Sequence, residues 1–190
     1  MSPIQWALRP LKKYAVFSGR ASRAEFWWFF LFLMVIWFVM YFVMLSSLMS
    51  VGMSQTAPSA GVAGAFGIFG IVVLLFWLGL LIPTIAVQTR RLHDTNRSGW
   101  WLGGFYLLYG VYIAMILGSM GSMMSSAMTG AQPDPSQVPM AMFGGTMILG
   151  LVMFVYMIVL LVFYCMPGTA GVNRYGPDPY GPDSLEQVFG

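Results

Sequence analysis

The chain has 190 residues, of which 58% are hydrophobic and only 8% charged, with a formal net charge of +3. A soluble domain carries about 25% charged residues, so a water-soluble globule is excluded and lipid must be the solvent for most of the surface. The basic residues flank apolar segments, which points to anionic headgroups as the partner and away from nucleic acid. The single cysteine, Cys165, allows neither an internal disulfide nor a cysteine-built metal site.

Residues 2–14 read as a short helix lying on the membrane. Ser2 is placed to cap it and Pro3 suits the first helical position. Ile4, Ala7, Leu8 and Leu11 fall on one face, with Gln5, Arg9, Lys12 and Lys13 on the other, the pattern of an interfacial helix on an anionic leaflet. Pro10 is expected to bend or end it. The apolar run that follows is too long for a signal-peptide core and has no small-x-small cleavage site, so it is expected to be the first span.

That span covers about 22–48. Ser22 and Glu25 form an S-x-x-E capping box, and Trp27 and Trp28 follow at headgroup depth as interface anchors. A short uncharged loop with Pro58 leads to a second span over about 61–89, which opens with glycine at every third position from Gly61 to Gly70. Small residues of this kind let helices approach closely in lipid. Pro83 is expected to kink the span against the carbonyl of Gly79, four residues earlier.

Residues 88–99 read as a polar loop holding Arg90, Arg91, His93, Asp94 and Arg97. The third span, about 98–120, has Ser98 as its expected cap and a second anchor pair, Trp100 and Trp101. A loop of Ser, Met, Gly and Pro containing Asp134 precedes the fourth span, about 140–166. Residues 167–190 form a Gly- and Pro-rich tail without regular structure, in which Asp178 or Asp183 is a candidate partner for the polar loop.

The expected fold is therefore all-α: an integral membrane protein of four transmembrane helices in two antiparallel hairpins, with an interfacial helix in the N-terminal segment 1–21, a bundle over 22–166 and a tail over 167–190. All nine basic residues lie in the N-terminal segment up to the opening of the first span at Arg23, the polar loop or the tail. The positive-inside rule puts those three regions, and so both termini, in the cytoplasm. The arginine and Trp pair before the first span recurs before the third, an echo that is read as convergence on interface chemistry.

Three stretches carry a family resemblance: Phe17-Ser-Gly-Arg-Ala-Ser-Arg-Ala-Glu-Phe-Trp-Trp, Arg90-Arg-Leu-His-Asp-Thr-Asn-Arg-Ser-Gly-Trp-Trp and Gly171-Val-Asn-Arg-Tyr-Gly-Pro-Asp-Pro. In this order they resemble the family called domain of unknown function 805. The resemblance implies a bacterial inner-membrane protein and supplies no activity.

Four constellations bear on function. Arg20, Arg23, Arg90, Arg91, His93, Arg97 and Arg174 fall on one side of the membrane with Glu25 and Asp94. Arginine binds phosphate through a planar fork, so they are candidates for an anionic-lipid or partner-protein site, while pairing with Glu25 and Asp94 would instead lock helix ends together. His93-Asp94 is a poor catalytic pair, because neighbours on a helix point about 100° apart, and no nucleophile motif accompanies it. Met120, Met123, Met124, Met140 and Met142 offer soft thioether ligands suited to Cu(I), with flexible apolar filling the preferred reading. Apart from Arg23 and Glu25 where the first span opens, the spans hold no charged residue, which argues against an ion pump and leaves an oligomeric pore as the alternative function. No enzyme activity and no cofactor are expected. Membrane lipids are the expected partners, with a homo-oligomer or a membrane-protein partner as further possibilities.

Overall fold

The structure, a computed structural model, describes residues 2–53, 60–130 and 140–180. In chain order its helices are α1 (Pro3–Lys12), α2 (Arg23–Met53), α3 (Ala60–Asp94), α4 (Trp100–Thr129) and α5 (Met140–Cys165). Four of them, α2 to α5, are long and apolar enough to cross a membrane. The described chain forms two compact units, one holding the residues up to Asn96 and from Pro167 onward, the other Arg97–Met166.

In the first unit α1 packs on α2 and α3, and α2 packs on α3. The start of α1 is closed by a full capping box: the Ser2 hydroxyl accepts from the Gln5 amide at 3.3 Å, and the Gln5 side chain accepts from the Ser2 amide at 2.8 Å. The helix runs through Pro10, contrary to the expected bend or stop, and both Pro10 and Ala7 are buried. Covering the proline against neighbouring helices offsets the backbone hydrogen bond that it removes. Ile4 and Leu8 stay exposed, so only part of the apolar face is spent inside the protein.

Pro83 lies inside α3 and is buried. Having no N–H, it leaves the carbonyl of Gly79 without its helical donor. The Tyr14 hydroxyl, from the segment after α1, donates to that carbonyl at 2.7 Å. The glycines Gly64, Gly67 and Gly70 that precede it have no neighbour among the described residues: a Cβ at any of them would meet open space.

Both ends of the polar segment differ from expectation. Residues 88–94 are helix, since α3 continues to Asp94 and the connection to α4 is short. It stops where Asn96 takes the left-handed conformation, φ 56°, a helix-ending geometry that asparagine tolerates. Asn96 thus closes α3. The cap of α4 is Gly99, with the Ser98 hydroxyl one position further out, accepting from the Trp100 amide at 3.3 Å. At its far end α4 extends past 120 to Thr129 and stops at Gly130 in the left-handed region, φ 65°. Serine, methionine and alanine all tolerate a helix, and Gly130 supplies the stop that the composition-based loop boundary missed. The loops around Pro58 and Asp134 lie outside the described residues, as does Asp183.

The second unit is the α4–α5 pair, packed through glycine–aromatic contacts. The Tyr156 hydroxyl donates to the Trp101 carbonyl at 2.7 Å and lies where a side chain at Gly104 would stand, 2.9 Å from an added Cβ. Gly150 faces Tyr112, and Gly145 faces Met115. The outer faces of all four spans are exposed and apolar, which is the expected surface where lipid is the solvent. Among the described residues there is no strand, only an isolated bridge between Asn173 and Gly176. The chain is an all-α integral membrane protein with four transmembrane helices.

Replacing Tyr14 with Phe removes the donor that serves the Gly79 carbonyl and leaves the ring. It is expected to lower stability by about 1 kcal/mol, read as a lower midpoint of thermal unfolding in detergent. An unchanged midpoint would show that this hydrogen bond contributes nothing net.

Candidate functional site

The buried polar side chains of the first unit gather where α2 begins and α3 ends. Arg20, Ser22, Glu25, Arg90, Arg91, Asp94 and Thr95 are all buried, with Arg91 at 0% and Glu25 and Arg90 at 1% exposure. Charged side chains are seldom so covered unless they are paired.

Asp94 is the central acceptor. Its carboxylate takes the Arg20 Nε at 2.9 Å and Nη2 at 2.8 Å on Oδ1, and Arg91 Nη1 on Oδ2. Its backbone carbonyl accepts from the Thr169 amide at 2.9 Å and hydroxyl at 3.1 Å. The rest of the Arg20 guanidinium reaches the tail, donating to the carbonyl of Gly171 at 2.6 Å and to that of Thr169. One aspartate and one arginine thereby fasten three segments that are far apart in sequence.

Glu25 is a second, adjoining acceptor. Arg90 Nη1 lies 2.6 Å from its Oε1, and Arg9 Nε lies 3.7 Å from its Oε2. The Glu25 amide donates to the Ser22 hydroxyl at 3.1 Å, which is one half of the expected capping box. The other half is not made, because the carboxylate turns to the arginines, where a charge-assisted contact outweighs a bond to a neutral amide. The Ala21 amide donates to the Arg90 carbonyl at 3.0 Å, so backbone as well as charge joins the two elements. Lys13 stands half-buried within electrostatic reach of Arg9, Glu25 and Arg90. Burial first, then the charge of Arg9, pushes its pKa below the ordinary lysine value.

The tail after α5 is built from turns and docks on the end of α3. Asn173 and Gly176 exchange backbone hydrogen bonds of 3.1 and 3.0 Å, and the Asn173 side chain accepts from the Tyr175 amide at 2.9 Å. Its amide group donates to the His93 carbonyl at 3.0 Å and to the Thr169 hydroxyl at 2.8 Å. The Tyr175 ring stacks on His93, with centroids 3.8 Å apart and planes 3° from parallel. Arg174 lies over the other ring partner, Tyr175, and donates to the Asn96 carbonyl at 3.0 Å. Gly168 passes so close to the Asp94 carboxylate that a Cβ there would collide with it. Asp178, a candidate partner for the polar segment, instead closes the tail on itself by accepting from the Gly171 and Tyr180 amides at 3.2 and 2.9 Å.

His93 Nδ1 lies 3.2 Å from the Gly19 carbonyl; since a carbonyl only accepts, that nitrogen carries the proton. Asp94 faces the arginines and not His93, in keeping with the angle between neighbours on a helix. Of the other expected site residues, Arg23 is exposed on the first turn of α2. Arg97 and Ser98 fall in the second unit, where the Arg97 guanidinium lies 3.9 Å over the Phe163 ring. Trp28, Trp100 and Trp101 are exposed, and Trp27 packs edge-on against Phe26 and Phe30. Met120 and Met124 are exposed on α4, while the side chains of Met123, Met140 and Met142 lie outside those described. Among the described residues no group of His, Cys, Asp or Glu is arranged to hold a metal. Sequence reasoning missed Arg9, Tyr14, Thr169, Asn173 and Tyr175; the Asn173-Arg-Tyr-Gly turn signal was visible, but its docking site was not.

A four-span helical membrane protein whose polar helix ends are joined by a buried ion network is thus defined. The chain matches the family described as Protein of unknown function (DUF805) over residues 14–177, and it belongs to that family. It is 31% identical to Inner membrane protein YhaH and 30% identical to Inner membrane protein YhaI of Escherichia coli strain K12, each over 93% of this chain and 97% and 96% of the relative. No solved structure matches it.

Two substitutions separate the parts of this network. Asp94→Asn leaves Arg20 and Arg91 buried without their counter-charge and is expected to cost about 3–5 kcal/mol, seen as a large fall in thermal stability in detergent. Gly168→Ala is expected to displace the tail at a cost of about 1–3 kcal/mol. Limited proteolysis should then release the C-terminal segment faster than from the wild type, and an equal rate would mean that the tail does not depend on this close approach.

Proposed function

We propose that the protein is a non-catalytic component of the bacterial inner membrane that binds anionic lipid headgroups with cytoplasmic cations, both termini lying on that side. The observation that carries this reading is a division of labour among the basic residues. Arg20, Arg90 and Arg91 pair with internal carboxylates, whereas Lys12 and Arg23 are exposed beside them and Lys13 and Arg9 are partly so. The inward group sets the shape and the outward group faces the medium. Ile4 and Leu8, exposed on the same short helix, supply apolar contact with the bilayer boundary. Trp28, Trp100 and Trp101 serve as anchors at that depth. The names of the inner-membrane relatives support the location, and the distribution of basic residues supports the orientation.

Engagement of His93 by Gly19 on its edge and Tyr175 on its face supports a structural use of that residue. Exposed cations near a bilayer surface contribute about 1 kcal/mol each, screened by salt. Replacing Lys12, Lys13 and Arg23 together with Gln should therefore reduce the enrichment of phosphatidylglycerol over phosphatidylcholine among lipids co-released from mixed nanodiscs in native mass spectrometry. The wild-type enrichment should shrink as salt rises. Equal enrichment in the variant and the wild type would sink the proposal.

A further inference from the structure

Arg90 is the anomaly of the network. Its guanidinium is buried and only Nη1 is used, on Glu25. Among the described residues Nε and Nη2 have no hydrogen-bond partner. These two are not arbitrary donors: together they form the side edge of the guanidinium, two roughly parallel N–H groups spaced for two oxygens of a single carboxylate or phosphate. Burying a charged donor without a partner is costly, so such an edge calls for an acceptor.

The neighbouring acids among the described residues do not supply one. Glu25 is held by Arg90 and Arg9, and Asp94 by Arg20 and Arg91. Around them the cations Arg9, Lys13, Arg20, Arg90 and Arg91 outnumber these two carboxylates. Lys13 senses Arg90 and Arg9 electrostatically, and an anion on the Arg90 edge would relieve that repulsion. Glu25 lies one helical turn from Trp28, an exposed indole of the kind that settles at headgroup depth. An oxyanion carrying hydrogen-bond acceptors in a plane, at the depth of lipid phosphates, matches all of these features.

We infer that the Nε–Nη2 edge of Arg90 is a stoichiometric phosphate-binding site, with Lys13 and Arg9 as its electrostatic support. The phosphate belongs to a phospholipid headgroup or comes free from solution; the chemistry at the edge is the same. This rests on the headgroup-binding reading only for the lipid as source. That reading concerns a salt-sensitive average over many lipids, whereas this one concerns a single phosphate per chain, so either can fail alone.

The test counts phosphate on the full-length chain. Native mass spectrometry of wild-type protein, released at high salt from phosphatidylcholine nanodiscs doped with phosphatidylglycerol, should show one phospholipid retained per chain. In Arg90→Lys, which keeps the charge but loses the side edge, retention should fall about ten-fold, the scale of one charge-assisted bidentate contact. Should Arg90→Lys fail to fold, Lys13→Gln carries the test, since it leaves the Arg90–Glu25 pair intact and should weaken retention about five-fold. Displacement of the retained lipid by inorganic phosphate would support the site and assign its source to solution; no displacement would support it and assign the lipid. A wild-type chain that retains neither lipid nor phosphate would overturn the inference. So would equal retention in folded Arg90→Lys, or, where that variant does not fold, equal retention in Lys13→Gln.

Discussion

The carboxylate of Asp94 is the constraint on which the first unit depends. It is the last residue of α3, buried, and gripped by Arg20 ahead of α2 and by Arg91 one turn back on its own helix. Its backbone carbonyl receives Thr169 from the tail. Arg20 then passes the connection on to the carbonyls of Thr169 and Gly171. Withdrawing this one acid would remove the reason for the segment before α2 to fold back and for the tail to turn inward.

Ion pairs are an expensive way to hold helices. Desolvating both partners often cancels the Coulomb attraction, and an apolar replacement of equal volume is frequently as stable. What an apolar patch does not provide is direction. Arg20 donates along defined axes to a carboxylate and to two carbonyls, so only one placement of the tail satisfies it. Gly168 reinforces this by admitting the backbone against the Asp94 carboxylate. In a membrane protein whose spans are uniformly apolar, register cannot come from hydrophobic patterning, because lipid and protein are equally apolar. A directional polar joint at the helix ends is the alternative, and here it draws on the three stretches that carry the family resemblance.

The architecture was legible because it follows from amount and position of charge. Two long apolar stretches, one without any charged residue from Phe26 to Thr89 and one from Ser98 to Asn173 interrupted only by Asp134 in its loop, lead to four spans with little freedom. The pairing of Glu25 and Asp94 with arginines was legible in kind, since buried acids need cations. Which arginine takes which acid was not, because Arg20, Arg23, Arg90, Arg91 and Arg97 are chemically identical and only the fold separates inward from outward. The helical state of 88–94 was hidden for a related reason. Polar residues were read as solvated loop, yet they are polar because they face one another. Tyr14 was hidden because its partner is a backbone carbonyl, which leaves no mark in the sequence except the proline four residues further on.

Helix length explains why such a network is tolerable at all. The 35 residues of α3 extend about 52 Å, against a hydrocarbon core of about 30 Å. Its membrane-spanning stretch, Gly64–Asp94, is 31 residues, about 46 Å, and so outruns the core by about three turns. With the apolar part of that stretch in the hydrocarbon, the excess falls at the charged end, Arg90 to Asp94, where headgroups and water lower the cost of charge. The buried arginines are thus shielded by protein from the hydrocarbon. Their desolvation is that of a small soluble core, and the ion network is a soluble domain's solution carried on the end of a membrane helix.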